Sequence, residues 1–378
     1  MQRSESPSQE EGFFKTIAVA GLGLIGGSVV KALRLKGYTG RILGIDPDAD
    51  NRQQALQSGL LDTVSPGLPE DPAPVDLLLL AVPLSRIEEA LGSLLPLLGP
   101  GTLVTDAGSV KETVHAAVRA VLPPGIPFVG GHPMAGSDRS GFGSASPILF
   151  ENAYYFITPE PGSSPSAVEG LRRFSQALGA IPVIITPREH DALAARLSHL
   201  PHLTACALVS TFAAALPEEA LKYAGGGFRD TTRIAMGDPG LWRDIFTQNK
   251  NELIAGIDSL MVELARFRQQ LAEEKSDEIR YNLSITQKIR SGLAAHRPRE
   301  ESSLFPLALD VEDRPGSLAA VTGLLAEKQV NIKDIALDHA REALPGALIL
   351  SFASEAERAR AASLIRAAGL CEVFMEQD

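Results

Sequence analysis

Short apolar runs alternate with helical patterns through the first half of the chain, and that alternation sets the expected architecture. Residues 16–20 (Thr-Ile-Ala-Val-Ala) have the length and partial β-branching of a strand, and Val29, Val30, Ala32, Leu33 and Leu35 follow at amphipathic-helix spacing. Residues 41–45 predict a second strand. Residues 75–82, apolar apart from Asp76, read as a strand buried on both faces. Residues 102–105 repeat that signature and lead into a helix predicted over 110–121. A fifth short strand is expected over 127–130; residues 153–158, a helix through 171–178 and residues 181–186 are then expected to complete a predominantly parallel sheet.

At Pro187 the pattern changes. From 188 to about 296 no run has strand character, and Ala, Leu, Ile, Glu, Lys and Arg recur at helical spacing between breaks at Pro217, Gly225-Gly226-Gly227 and Asp238-Pro239-Gly240. Residues 203–216 are apolar nearly all round, more than a solvent-facing helix shows, and a dimer interface would account for that surface. A polar hinge over 296–303 follows. Beyond it the pattern predicts a strand at 305–311, a helix at 316–327, strands at 330–337 and 346–353, a helix at 355–368 and a strand at 371–374. That β-α-β-β-α-β order is the ferredoxin-like arrangement.

Composition narrows the function classes. The chain of 378 residues is long enough for several domains, and its formal charge of −11 argues against nucleic acid or an anionic membrane surface as partner. Residues 1–12 are polar and acidic with no apolar core, so they predict a disordered lead-in and not a signal peptide. The apolar run Leu77-Leu78-Leu79-Leu80-Ala81-Val82 is far too short to span a bilayer. Cys206 and Cys371 lie far apart and outside any metal spacing, which points to a reducing cytoplasm.

The first strand runs into Gly21-Leu22-Gly23-Leu24-Ile25-Gly26-Gly27-Ser28 and a helix start. In a Gly-x-Gly-x-x-Gly turn, Gly21 permits the bend, Gly23 lets backbone approach a pyrophosphate and Gly26 lets helix and strand pack closely. The unpaired N–H groups of the helix's first turn then face the phosphates. Asp46 ends the second strand, where a carboxylate accepts ribose hydroxyls and repels a 2′-phosphate. These features predict a Rossmann-type domain that prefers NAD. They also give the expected division: 13–187 dinucleotide-binding, 188–295 helical substrate and dimerisation domain, 296–303 linker, 304–378 ferredoxin-like domain.

Ligands sit at the carboxyl ends of strands in such sheets, which directs attention to Asp106, Ser109 and His132. His132 follows Gly130-Gly131, glycines that would allow a ligand close, and a neutral imidazole can accept a hydrogen bond from a substrate hydroxyl. Loss of hydride from a carbinol carbon needs such a group. Ser109, at the expected helix start, is either an N-cap or a substrate contact, or both. His115, His190, His296 and His339 have no supporting pattern and are expected to be solvated. In Ser198-His199-Leu200-Pro201-His202 the proline is expected to break the one-face geometry of a helical metal pair, so no metal site is predicted and His202 is read as a donor to an anionic group. An arginine from Gly225-Gly226-Gly227-Phe228-Arg229-Asp230-Thr231-Thr232-Arg233 would serve the same anion, whereas Arg243 beside Asp244 suits a structural ion pair equally well.

Five motifs in this order resemble the prephenate dehydrogenase family over nearly the whole chain: the glycine turn, Asp106-Ala107-Gly108-Ser109-Val110-Lys111, Gly130-Gly131-His132-Pro133-Met134-Ala135-Gly136, Ser198-His199-Leu200-Pro201-His202 and Gly226-Gly227-Phe228-Arg229-Asp230-Thr231-Thr232-Arg233. The tail, with Asp313-Arg314-Pro315-Gly316-Ser317-Leu318 and Val330-Asn331-Ile332, looks like an ACT domain, a module that commonly binds amino acids. The resemblance implies a dimer built through the helical domain and the reaction of prephenate with NAD to give 4-hydroxyphenylpyruvate, CO2 and NADH. It makes His132 the acceptor for the ring hydroxyl, Ser109 the residue orienting both, and His202 and Arg233 the holders of the carboxylate and pyruvyl ends, with Ser198, His199 and Gly227 beside them. The cofactor residues it implies are Gly21, Leu22, Gly23, Leu24, Ile25, Gly26, Asp46, Val82, Pro83, Asp106 and Ser109. For the tail it implies feedback by tyrosine at Asp313, Pro315, Gly316, Asn331 and Ile332, between two chains.

The nearest alternative is an arogenate dehydrogenase, or a cyclohexadienyl dehydrogenase of mixed specificity, which differs in an amino-acid group replacing the pyruvyl ketone. β-Hydroxyacid dehydrogenases share the plan but have a catalytic helix lysine with no counterpart here, and phosphoglycerate dehydrogenases insert the dinucleotide unit within the chain. An NAD-binding amino-acid sensor would bind cofactor without turnover.

Overall fold

The computed structural model describes residues 13–137, 139–295, 305–312, 314–338 and 347–374, in two compact units, Met1–Arg266 and Phe267–Asp378. The expected lead-in at 1–12 and hinge at 296–303, together with His296, His339 and Asp313, lie outside the described residues.

In the first unit β1 (Thr16–Ala20), α1 (Leu24–Leu35), β2 (Arg41–Ile45), α2 (Ala49–Ser58), β3 (Thr63–Ser65), β4 (Leu77–Leu80), α3 (Ile87–Ser93), β5 (Leu103–Asp106) and α4 (Glu112–Val121) build a doubly wound layer. All pairings in its sheet are parallel, in the order β3-β2-β1-β4-β5. Alternation along the two central strands explains the two cores. Ile17, Val19, Leu77 and Leu79 face α1, while Ala18, Ala20, Leu78 and Leu80 face α3 and α4.

The next strands depart from the expected single sheet. β6 (Gly130–Pro133), β7 (Tyr154–Thr158) and β8 (Ile181–Ile184) form a separate sheet, with β6 antiparallel to β7 and α5 (Pro165–Ala177) crossing over to the parallel β8. No crossover helix lies between β6 and β7, so the chain returns antiparallel. Of the expected strand at 127–130, Phe128 makes a single parallel bridge to Val104 and the regular strand starts at Gly130. His115 is buried and not solvated: its ring lies edge-on to Phe128, with Nε2 3.2 Å from Thr158 Oγ1.

The helical segment follows as α6 (Pro187–Ala194), α7 (Leu200–Ala215), α8 (Gly226–Thr232), α9 (Pro239–Gln248) and α10 (Lys250–Ala272), with no strand among the described residues. Thr186 opens α6 with a capping box: its hydroxyl accepts from Glu189 N and the Glu189 carboxylate accepts from Thr186 N, with Pro187 in the first turn. In the second unit α11 (Ser276–Ala295) precedes β9 (Phe305–Asp310), α12 (Ser317–Glu327), β10 (Asp334–Asp338), β11 (Ala347–Phe352), α13 (Glu355–Ala368) and β12 (Glu372–Phe374). The four strands pair antiparallel in the order β10-β11-β9-β12 over a core of Leu307, Leu309, Leu348, Leu350 and Phe352, which is the expected ferredoxin-like domain.

The glycine turn between β1 and α1 is sterically specified. Gly21 has φ +91°, and a Cβ on it would lie 2.3 Å from the Ala81 carbonyl oxygen; one on Gly26 would lie 1.9 Å from the Gly21 carbonyl oxygen. A Cβ on Gly23 meets nothing within 4 Å. The two positions therefore separate fold from ligand. Gly26→Ala is expected to cost several kcal/mol through overpacking, on the order of 1–3 or more. Gly23→Ala is expected to cost at most about 1 kcal/mol as a helix N-cap change, yet to weaken dinucleotide binding, because its methyl group enters the open space. Thermal unfolding and calorimetric titration with NAD check both; equal destabilisation by the two variants would refute the assignment.

Candidate active site

The carboxyl ends of β1, β2, β4 and β5 open on one edge of the parallel sheet. Asp46, after β2, is only 5% exposed and is braced against the glycine turn: Oδ2 accepts from Leu22 N at 2.7 Å and Asn51 Nδ2 at 3.2 Å, and Oδ1 accepts from Asp48 N at 2.8 Å. Leu24 and Ile25 form the first turn of α1, while Val82 is half-buried and Pro83 exposed just after β4. Open space over Gly23, a helix N-terminus behind it and a fixed carboxylate at the end of β2 fit an NAD dinucleotide, whose bound nicotinamide supplies a hydride acceptor.

The segment that leaves His132 is strapped to the same helices. Phe142 N donates to Asn51 Oδ1 at 2.9 Å, Lys31 Nζ donates to the carbonyls of Phe142 and Ala145, and Ser146 N donates to Ser28 Oγ at 2.9 Å. Phe142 and Ala145 rest on Gly27, where a Cβ would meet them at about 3 Å.

Asp106 and Lys111 form a buried pair at the end of β5. Asp106, read from the sequence as a cofactor residue, is wholly buried and takes Lys111 Nζ and Gly108 N on Oδ2 and Gly131 N on Oδ1. Lys111, quoted only as part of a motif, is itself 0% exposed and also donates to the Gly131 carbonyl at 2.7 Å. Burial pushes the Asp106 carboxyl up and the Lys111 ammonium down, and their contact opposes both shifts. The pair pins β6 to the end of β5. Nor do Gly130 and Gly131 leave room for a ligand, because a Cβ on Gly130 would strike Thr158 and His115, and one on Gly131 the Asp106 carbonyl and Tyr155.

His190, expected to be solvated, is 0% exposed and stands between His132 and Asp191. His132 Nδ1 lies 2.7 Å from His190 Nε2, and His190 Nδ1 lies 2.7 Å from Asp191 Oδ1. Asp191 also closes α4: Oδ1 accepts from Lys111 N and Oδ2 from Glu112 N. The cap of α4 is therefore a carboxylate from α6, and Ser109, half-buried in the preceding turn, lies outside that helix. Asn249 Nδ2 donates to the Asp191 carbonyl and to His199 Nδ1, which leaves the His199 proton on Nε2. Burial, reinforced by His190 and Lys111, holds His132 well below the usual imidazole range, and burial takes His199 down to about 4, so both rings are neutral at pH 7.

On the helical side, a π-helical turn over Ala195–His199 joins α6 to α7. Pro201, in the first turn of α7, lacks an N–H, and the wider turn absorbs it. The proline consequently does not separate the two histidines: His202 stacks on Trp242 at 3.6 Å and His199 meets the edge of the same indole at 6.3 Å. Among the described residues no group of three or more His, Cys, Asp or Glu side chains could hold a metal ion. His202 Nε2 is buried without a hydrogen-bond partner, beside Gly237 at the end of the turn Arg233–Met236. Arg233 and Gly227 are exposed, Ser198 is half-buried, and Arg243 pairs with Asp244, which also accepts from Ser85 Oγ beside the end of β4.

Comparison with known proteins agrees with this layout. Residues 29–192 match the family model of the prephenate dehydrogenase nucleotide-binding domain, 186–284 that of its dimerization domain, and 307–366 the ACT domain. A prephenate dehydrogenase of Bacillus subtilis is 34% identical over 95% of this chain and 98% of its own length. The crystal structure of prephenate dehydrogenase from Aquifex aeolicus, in complex with hydroxyphenyl propionate and NAD+, is 30% identical and superposes with a TM-score of 0.70, covering 75% of this chain and all of that one. Synechocystis arogenate dehydrogenase is similar at 29% identity and a TM-score of 0.63, over 74% of this chain and 99% of that one. With its glycine turn, buried strand histidine and C-terminal ACT domain, this chain belongs to the prephenate dehydrogenase family of NAD-dependent dehydrogenases.

Proposed function

We propose that this chain converts prephenate and NAD to 4-hydroxyphenylpyruvate, CO2 and NADH, with His132 as the acceptor for the ring hydroxyl. The observation that carries the reading is a neutral, buried imidazole fixed on the strand next to a dinucleotide crevice. His132 accepts the hydroxyl's hydrogen bond and stabilises the positive charge that develops at the carbinol carbon as its C–H electron pair leaves as hydride. The bond to the ring carboxylate then breaks, its electron pair completes the aromatic ring, CO2 departs and the hydroxyl proton stays on the phenol. No separate decarboxylating base is required. Ser109 orients the hydroxyl and His132. His202, whose buried Nε2 lacks a partner, and Arg233 hold the carboxylate and pyruvyl ends, with Ser198, His199 and Gly227 around them.

The likeness to Synechocystis arogenate dehydrogenase makes arogenate the second substrate to measure. NADH formation should be faster with prephenate, and His132→Asn should lose roughly 10²–10⁴ in kcat while keeping its NAD affinity. Preference for arogenate would move the chain to that specificity, and a fully active His132→Asn would refute the role of the histidine.

Two further parts of the reading concern assembly and control. Exposed apolar side chains on α7 (Leu208, Val209), α10 (Met261, Val262, Leu264) and α11 (Tyr281, Leu283, Ile289) support a homodimer formed through the helical segment. The free thiols Cys206 and Cys371 support a reducing cytoplasm as its compartment; no helix among the described residues is long and apolar enough to cross a membrane. Gly316, with φ +95°, and Pro315 present the N-terminus of α12 to solvent, and Asn331 is exposed next to Ile332, which packs on the domain core. A carboxylate at that helix start suits an amino acid, and tyrosine, the aromatic amino acid one transamination from the product, is the proposed feedback inhibitor. Saturating tyrosine is expected to slow turnover and raise the melting temperature; no change in either measurement would refute this.

A further inference from the structure

Asp191, His190 and His132 form a hydrogen-bonded chain whose direction is decided at one end. Backbone N–H groups can only donate, and they approach both Asp191 oxygens, Lys111 N to Oδ1 at 2.7 Å and Glu112 N to Oδ2 at 2.9 Å. The start of α4 also favours the anion. Burial pushes the Asp191 carboxyl up, and the two backbone N–H groups together with Lys111 oppose that shift. As the anion it accepts throughout, and His190 Nδ1, 2.7 Å away, donates to it. A neutral imidazole carries one proton, so His190 Nε2 is left as an acceptor, and the atom facing it at 2.7 Å is His132 Nδ1. That atom carries the His132 proton. The lone pair of His132 is then on Nε2, the nitrogen not engaged with His190.

We infer that His190 and Asp191 are positioning residues that hold His132 in the Nδ1–H tautomer, so that Nε2 can accept the hydrogen bond of the substrate hydroxyl. The inference rests on the proposed role of His132. An imidazolium at His190 would donate to both neighbours and force the opposite, unproductive tautomer on His132. Burial, with Lys111, His199 and His115 as neighbouring cationic or titratable groups, keeps His190 neutral. Phe156 packs edge-on against its ring at 5.4 Å and closes the apolar side of the chain of bonds.

The test compares His190→Leu, which removes the acceptor, with His190→Gln, whose amide oxygen can replace it, in the full-length NAD-bound enzyme. His190→Leu should lower kcat by about tenfold to a hundredfold with KM for prephenate and NAD affinity within about twofold of wild type, and His190→Gln should recover most of the loss. Two-bond proton–nitrogen correlation spectra of 15N-histidine-labelled wild type, assigned with His132→Asn, should show His132 protonated on Nδ1 and bare on Nε2. A wild-type His132 protonated on Nε2 would overturn the inference, as would equal kcat values for His190→Leu and wild type, or equal impairment of the Leu and Gln variants. Should His190→Leu fail to fold, the wild-type spectrum and the His190→Gln rates still decide. Turnover retained by His132→Asn would instead remove the role on which the inference rests, a separate and distinguishable failure.

Discussion

The Asp191 carboxylate binds one helix of the nucleotide-binding layer and one imidazole of the helical segment at the same time, and the site depends on that double use. Through Lys111 N and Glu112 N it sets the start of α4, and through His190 it reaches His132 on β6. Its own backbone carbonyl is held by Asn249, which also orients His199. Groups on β6, α6, the turn before α7 and the end of α9 are thereby held by one short network. A buried carboxylate costs several kcal/mol of desolvation unless its lone pairs are satisfied, on the order of the penalties measured for buried ions. Here two amides and an imidazole satisfy them.

The Asp106–Lys111 pair plays a complementary part from below. Fully buried and bonded to both the N–H and the carbonyl of Gly131, it fixes the strand that carries His132 relative to β5. An ion pair of this kind is poor evidence for stability, because desolvation offsets attraction, but removing one partner leaves the other charge buried alone. Its contribution is therefore geometric. The strap from Phe142 to Ser146 adds a third constraint, tying the exit of β6 to α1 and to Asn51 beside the Asp46 carboxylate.

Much of the architecture was legible because local pattern and tertiary context agree. Short apolar runs became strands, the glycine turn and Asp46 took their expected places in the chain, and the tail folded as four strands with two helices. The failures share a physical cause, which is contact between segments remote in sequence. His190 follows a helix start of polar residues, and its burial comes from β6 and β7, some way back along the chain. A lysine is almost never fully buried without a partner, so nothing in Asp106-Ala107-Gly108-Ser109-Val110-Lys111 announces that these two ends meet. The antiparallel return of β6 onto β7 was hidden because a short apolar strand carries no sign of direction.

Turnover of prephenate by Asp191→Asn at saturating NAD, with NAD affinity measured alongside, tests most directly whether one carboxylate organises His132 for the proposed reaction. An amide presents a donor to the N–H groups of α4 or to His190, whichever way it turns. kcat should fall by at least about tenfold while NAD affinity stays within about twofold, as expected of a group that acts through the orientation of another. An unchanged kcat, or a loss of NAD affinity in step with it, would contradict the account.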